Sequence, residues 1–441
     1  MLPSSARRPT AAALAAVLLA AADLGAQPLA RRIAAAGDGE VRLSYATRAS
    51  VCGDGDELVR VRGVLHVGGG IQMSADGMSD LRCVPGPARV ALRVRRGAVE
   101  GVRLRVGGAW SRRDGAGADL GTVPAAEAAA YFLALAERAG AAGRAQRGER
   151  AVGEGAMFAA VVADSADLRP DLLRLARDAS LGGEVRRHAV QWLGEVGDAS
   201  LVPALTELVR GDAAGERIGS AAVFALGRLP GEAGVPTLTA FVRTAPSERL
   251  QKDAVFWLGQ QASRRAREAV RAAVLDGALP EAVRAQAVFA LGHASVATAD
   301  DFAFLQRLFS ETRSGALREQ VLMAVAQRGG HAGARWALGR ARDAALPRAV
   351  REQAFFWAGQ GAAPSAELIA AYDGLDDRAL KEHALFVLSQ RADRPARDKL
   401  AAVARGDADR GLRSTALFWL TQQKDPRAER LVEEALQRRG R

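Results

Sequence analysis

From about residue 150 to the end of the chain, apolar positions recur every three or four residues, and the whole pattern returns about every 33 residues. One short helix is written repeatedly: "HAVQWLGEV" at 188, "DAVFWLGQQ" at 253, "EQAFFWAGQ" at 352 and "STALFWLTQ" at 414. Aligned on the residue after the Leu of "WLG", the reference positions are Val161, Gly194, Gly227, Gly259, Gly292, Ala326, Gly359, Ser389 and Thr421. The steps between them are 33, 33, 32, 33, 34, 33, 30 and 32 residues.

Each column of this alignment has a physical meaning. Nine residues before the reference position, every unit is aliphatic, from Val152 and Val185 to Leu412. Five before it, eight of nine residues are Ala, with Val321 the exception, so two helices can approach closely there. One before it, six of nine are Leu. At about 100° per residue these positions share one face. The frequent Gly at the reference position is read as a left-handed helix cap. A second apolar helix follows, as in "VPALTELV" and "PDLLRLA". Each unit is then a helical hairpin that cannot bury its apolar face alone, and stacking on neighbours solves this. The expected fold class is mainly α: an α-solenoid of about nine hairpins over residues 150–441, whose second helices would line the concave surface.

Upstream the period changes to two. "VRLSYAT", "LVRVRGVLHV" and "RVALRVRRGAVEGVRLRV" alternate apolar and polar residues between Glu40 and Val106. This predicts a small antiparallel β domain over 27–121 that ends in a hairpin, with "CGDGDE" and "HVGGG" as turns. Residues 122–149 read as a helix capped by Thr122, then a Gly-rich linker. The first 26 residues, with Arg7 and Arg8 before a short apolar run, read as a signal peptide. The mature chain is then expected to start near Gln27 and to be periplasmic or secreted. In that setting the only two cysteines, Cys52 and Cys83, are expected to form one disulfide, closing a loop of 31 residues.

Within the array, "VRRHAVQWLGEVGDASLVPALTELV" resembles a HEAT repeat, of the short bacterial kind also found in phycobilin-lyase-like proteins. The resemblance covers about 150–440 and implies a scaffold or binding platform. Asp198, Asp393 and Asp425 match the Asp that often follows the first helix of such repeats. One HEAT-like family, the deoxyhypusine hydroxylases, holds iron through His-Glu dyads. Here His188, His293, His331 and His383 are each followed by Ala, and no His-Glu pair occurs. No nucleotide loop, zincin motif or nucleophile elbow is present either. The reading is a protein that is not an enzyme and carries no metal and no cofactor.

Two features remain as candidate binding elements. The chain has a net charge of +11, but its Arg-rich and Asn-free composition points to a GC-rich genome and lowers the weight of Arg counts. Still, Arg93, Arg95, Arg103 and Arg105 fall on one face of the predicted hairpin and make a candidate anion-binding surface for a polyanion or lipid head groups. No aromatic residue interleaves with them, which argues against a single-strand nucleic-acid platform. The second feature is a Phe column three residues before the reference position: Phe158, Phe224, Phe256, Phe289, Phe356, Phe386 and Phe418. Beside it, Trp192, Trp257, Trp357 and Trp419 are read as filling the gap between the two helices of their own unit. The Phe rings either pack sideways on the next unit, which stacking favours, or form an exposed partner ridge, with Phe224, Phe256, Phe289, Phe356, Phe386 and Phe418 as its members. The function read from the sequence is a non-catalytic protein-binding scaffold or adaptor outside the cytoplasm. The alternative is an envelope-associated anion or lipid-head-group binder.

Overall fold

A computed structural model describes residues 28–56, 58–62, 64–67, 70–72, 83–110, 117–141, 147–164, 167–211, 215–293, 297–425 and 427–430. The signal-peptide expectation, Glu57 and the last eleven residues fall outside this set. The chain forms two compact units that divide between Gly234 and Val235.

The first unit begins with α1 (Leu29–Ala35) and β1 (Gly39–Tyr45). Then come β2 (Val51–Gly53), β3 (Leu58–Val61), β4 (Val64–Val67), β5 (Gly70–Gln72), β6 (Ala88–Arg95), β7 (Ala98–Val106) and β8 (Ala118–Thr122). They make two four-stranded sheets, ordered β7-β6-β1-β8 and β2-β3-β4-β5. The predicted hairpin is β6–β7, with Val90 opposite Leu104 and Leu92 opposite Val102. The expectation of one antiparallel sheet needs correction at its edge, because β8 pairs parallel to β1. Thr122 therefore ends a strand and is not the cap of the following helix, α2 (Ala125–Ala141). A disulfide joins Cys52 on β2 to Cys83.

Three helical hairpin elements complete this unit: α3 (Arg147–Val162) with α4 (Arg169–Arg177), α5 (Gly183–Val196) with α6 (Val202–Arg210), and α7 (Glu216–Arg228). The sheets are bonded directly to them. The buried Tyr45 hydroxyl donates to the Ala159 carbonyl at 2.7 Å, and Arg48 Nε donates to Val161 O at 3.0 Å. Arg62 Nη1 donates to Glu195 O at the end of α5, at 2.7 Å.

The second unit is all helix. Its elements are α8 (Val235–Thr244), α9 (Glu248–Gly259), α10 (Arg264–Leu275), α11 (Glu281–His293), α12 (Ala299–Glu311) and α13 (Gly315–Arg328). They continue with α14 (Gly330–Arg342), α15 (Arg348–Gln360), α16 (Ser365–Asp373), α17 (Arg378–Ser389), α18 (Arg394–Gly406) and α19 (Arg410–Gln422). Among the described residues all nine reference positions fall at or near the ends of first helices, so the architecture is the expected α-solenoid preceded by a small β region. Most of the second helix of the ninth repeat lies outside the described residues.

Every member of the Ala column, from Ala156 to Ala416 and including Val321, is fully buried. Several second helices, or the turns that lead into them, start on side-chain caps, which supply acceptors to otherwise orphaned N–H groups. Asp198 accepts from Ser200 N, Ser263 from Ala266 N, and Asp393 from Ala396 N. Thr298 and Asp301 form a reciprocal capping box.

Candidate binding surface on the first helices

The Gly at the reference position does not cap a helix. Gly194, Gly227, Gly259, Gly292 and Gly359 all have negative φ, so the left-handed reading is overturned. Its cause is close approach instead. A Cβ on Gly194 would meet the Ala225 backbone at 2.8 Å, and on Gly259 the Ala290 Cβ at 2.8 Å. On Gly359 it would meet Val387 at 2.2 Å. In each case the neighbour stands two residues before the reference position of the next repeat. That column therefore faces the preceding first helix.

The same register corrects the reading of Trp. Trp192 stacks on Phe158 of the preceding repeat, with centroids 5.3 Å apart, and Trp419 packs on Phe386 at 5.4 Å. Trp192 and Trp419 thus bridge neighbouring repeats rather than the two helices of one. Phe356 and Phe386 lie parallel across repeats, with centroids 6.5 Å apart. Phe158 is buried, whereas Phe224, Phe256, Phe289, Phe356 and Phe386 are half-buried and Phe418 is 53% exposed. In the second unit Phe356 and Phe386 pack on the neighbouring repeat while staying partly exposed.

Residues 170–256 match the family model for HEAT repeats. The chain therefore carries a HEAT-repeat segment over these residues. No curated protein matches it. Among solved structures it is similar to importin beta in an ammonium sulfate condition, with 15% identity, a TM-score of 0.35, and 67% of this chain and 47% of that chain covered. This chain thus spans about half the length of that protein. It is also similar to human deoxyhypusine hydroxylase in complex with glycerol, with 15% identity, a TM-score of 0.26, and 67% and 96% covered.

The HEAT flank carries a second recurrent pair. His188 and His383 stand six residues before their reference positions, and each meets a Glu seven before the preceding one. His188 Nε2 lies 3.6 Å from Glu154, and His383 senses Glu352. Burial holds both imidazoles below the usual His range, His188 at about 4. Among the described residues no group of three or more His, Cys, Asp or Glu is placed to hold a metal ion.

The four hairpin arginines share a face but differ in surroundings. Arg103 pairs with Glu40 at 2.6 Å and Arg105 with Asp56 at 3.0 Å. Arg93 and Arg95 are exposed, and Arg93 reaches Glu100 O at 3.4 Å. Asp54 accepts from the backbone N–H of Asp56 and Leu58, so its carboxylate is taken up within its own turn. A fifth arginine, Arg89, is buried and donates to the carbonyls of Gly107, Ala109 and Gly55.

Sequence reasoning missed two elements of the HEAT array. One is an Arg column eight before the reference position. Nε of Arg186, Arg284 and Arg351 donates to Ala176 O, Val274 O and Ala341 O, each at 3.0 Å. These carbonyls end the preceding second helix, where a cation also meets the negative end of the helix dipole. The aligned sequence carries this column, masked there by the general Arg excess. The other is His66 on β4. It is fully buried between Phe158 and Trp192, with centroids 5.0 and 4.9 Å away, and neither ring nitrogen has a hydrogen-bond partner. Burial, with Arg228 adding to it, lowers its pKa to about 4.

Proposed function

We propose that this HEAT-repeat protein is a non-catalytic scaffold or adaptor that works outside the cytoplasm and holds a protein partner on the flank of its first helices. The observation that carries this reading is the aromatic ladder Phe356–Phe386–Trp419, continued by the exposed Phe418. Rings already fixed by their neighbours lose little conformational freedom on binding, and aromatic anchors of this kind dominate protein interfaces. The export part of the proposal draws on the N-terminal sequence pattern and on the disulfide, since disulfides persist in oxidising compartments.

The test is site-specific photo-crosslinking in intact cells. A crosslinker in place of Phe418 is expected to yield a discrete adduct that disappears with Phe386→Ser. The same group in place of Leu275, also exposed but on a second helix, should yield none. Equal labelling from both positions, or none from either, overturns the ridge. Fractionation of the same cells tests the location.

The second reading, an anion or lipid-head-group binder, draws on the exposed Arg93 and Arg95. It ranks lower because Glu40 and Asp56 already meet Arg103 and Arg105. Cosedimentation with anionic vesicles that vanishes at high salt, and in the fourfold Arg→Gln variant, would reverse that order.

A further inference from the structure

A cavity of about 300 Å³ opens in the first unit between α2, α3 and the start of α5. Ala139, Gly140, Gly153, Met157, Gly182, Gly183 and Val185 line it with apolar or bare-backbone surface. Four polar side chains converge on it: Arg150, Glu154, Glu184 and His188.

Two of the four are already engaged with their surroundings. Glu184 accepts from Nε and Nη2 of Arg187 at 3.0 and 2.8 Å. His188 Nε2 lies 2.6 Å from Arg187 Nη2. Arginine can only donate, so Nε2 is an acceptor and has no proton to offer Glu154, 3.6 Å away. Among the described residues, then, no group donates a hydrogen bond to the Glu154 carboxylate, although it is partly withdrawn from water. Burial raises its pKa, and the positive charges of Arg187 and Arg150 offset part of that rise. Arg150 stands one turn earlier on the same helix and forms no ion pair with it. A basic residue four positions before an acidic one is the weaker orientation for a helical pair. The cavity therefore presents a cation and a carboxylate one helical turn apart, neither of them hydrogen-bonded among the described residues, above a small apolar floor.

We propose that this cavity is a binding site for a small zwitterion, a free α-amino acid with an apolar side chain. The ammonium donates to Glu154, the carboxylate meets the Arg150 guanidinium, and the side chain lies against Met157 and Val185. Opposite charges on two groups of one ligand carbon match opposite charges one helical turn apart. A simple amine or acid satisfies only one of the two. Gly183 lines the cavity; a Cβ there would meet nothing within 4 Å, and its φ is not positive. A larger residue at 183 can thus enter the cavity without straining the backbone.

Titration calorimetry on the full chain tests the site with L-leucine, and with 3-methylbutylamine and 4-methylpentanoate as half-ligands. Leucine is expected to bind one per chain, with each half-ligand at least about tenfold weaker. Glu154→Gln and Arg150→Gln should each weaken leucine by about tenfold or more. Gly183→Leu should abolish binding while the urea midpoint and helical circular dichroism stay unchanged. Absence of saturable binding by leucine overturns the proposal. So does a half-ligand as tight as leucine, or undiminished binding in a folded Gly183→Leu chain.

Discussion

A Cβ added to Gly292 would sit 2.4 Å from the Cβ of Ala324, two residues before the reference position of the next repeat. This contact sets the spacing of neighbouring first helices, and it predicts an inverted propensity effect. Gly→Ala in a helix interior ordinarily gains about 0.5–1 kcal/mol. At Gly292 overpacking should outweigh that gain, at a cost of about 1–3 kcal/mol. Gly339 on α14, where a Cβ would meet nothing within 4 Å, is the control. Urea unfolding should show Gly292→Ala destabilised and Gly339→Ala slightly stabilised. Equal shifts for both would refute the close-approach account.

His66 predicts a pH dependence whose sign follows from its burial. Its folded pKa, about 4, lies below the ordinary 6.5, so the unfolded chain takes up the proton first as pH falls. The contribution is complete above about pH 6.5, declines by up to about 1.4 kcal/mol per pH unit, and is exhausted near pH 4. His188, with a similar folded pKa, acts in the same window. Stability measured at pH 7 and pH 5 should therefore fall, and His66→Leu should remove a large part of the fall without abolishing it. An unchanged difference in the variant would mean that His66 is solvated or paired.

The repeat was legible because a solenoid writes its packing along one dimension. Each column of the alignment is one contact, and the buried Ala column was read without coordinates. The Gly at the reference position was misread because a helix cap and a helix–helix approach both select Gly, and only φ and the neighbour distinguish them. The segment "ADLGT" of β8 escaped because it neither alternates nor carries β-branched residues before Thr122. His66, Phe158 and Trp192 meet across three separate segments, and so do the residues around Glu154. No local period marks such a meeting.

The arginine column predicts a graded loss. Arg186 is buried, so Arg186→Met strips the Ala176 carbonyl of its donor in a dry setting and should cost about 1–3 kcal/mol. Arg284 and Arg351 make the same bond while half-exposed, and water can replace them. Their Met variants should cost about 0.5–1.5 kcal/mol. Hydrogen exchange at the ends of α4, α10 and α14 localises the effect. Equal losses at all three positions would show that packing of the arginine stems, not the terminal hydrogen bond, is what stabilises.

The Phe column predicts a gradient from core to surface. Phe158 is closed in by His66 and Trp192, so Phe158→Ala leaves a cavity with little room to collapse and should cost about 3–5 kcal/mol. Phe256 and Phe289 are half-buried, so part of each ring is already in contact with water. Their Ala variants should cost less than Phe158→Ala, about 1–3 kcal/mol, because only the buried part of the ring leaves a void. Phe418, 53% exposed, touches Trp419 edge-on, and Phe418→Ala should change stability by less than about 0.5 kcal/mol. The two ends of this series separate architecture from recognition. If Phe418→Ala leaves the urea midpoint unmoved yet removes the crosslinked adduct in cells, the ring serves a partner. If it destabilises as much as Phe256→Ala, the flank is a packing seam throughout, and a binding face must be sought on the second helices.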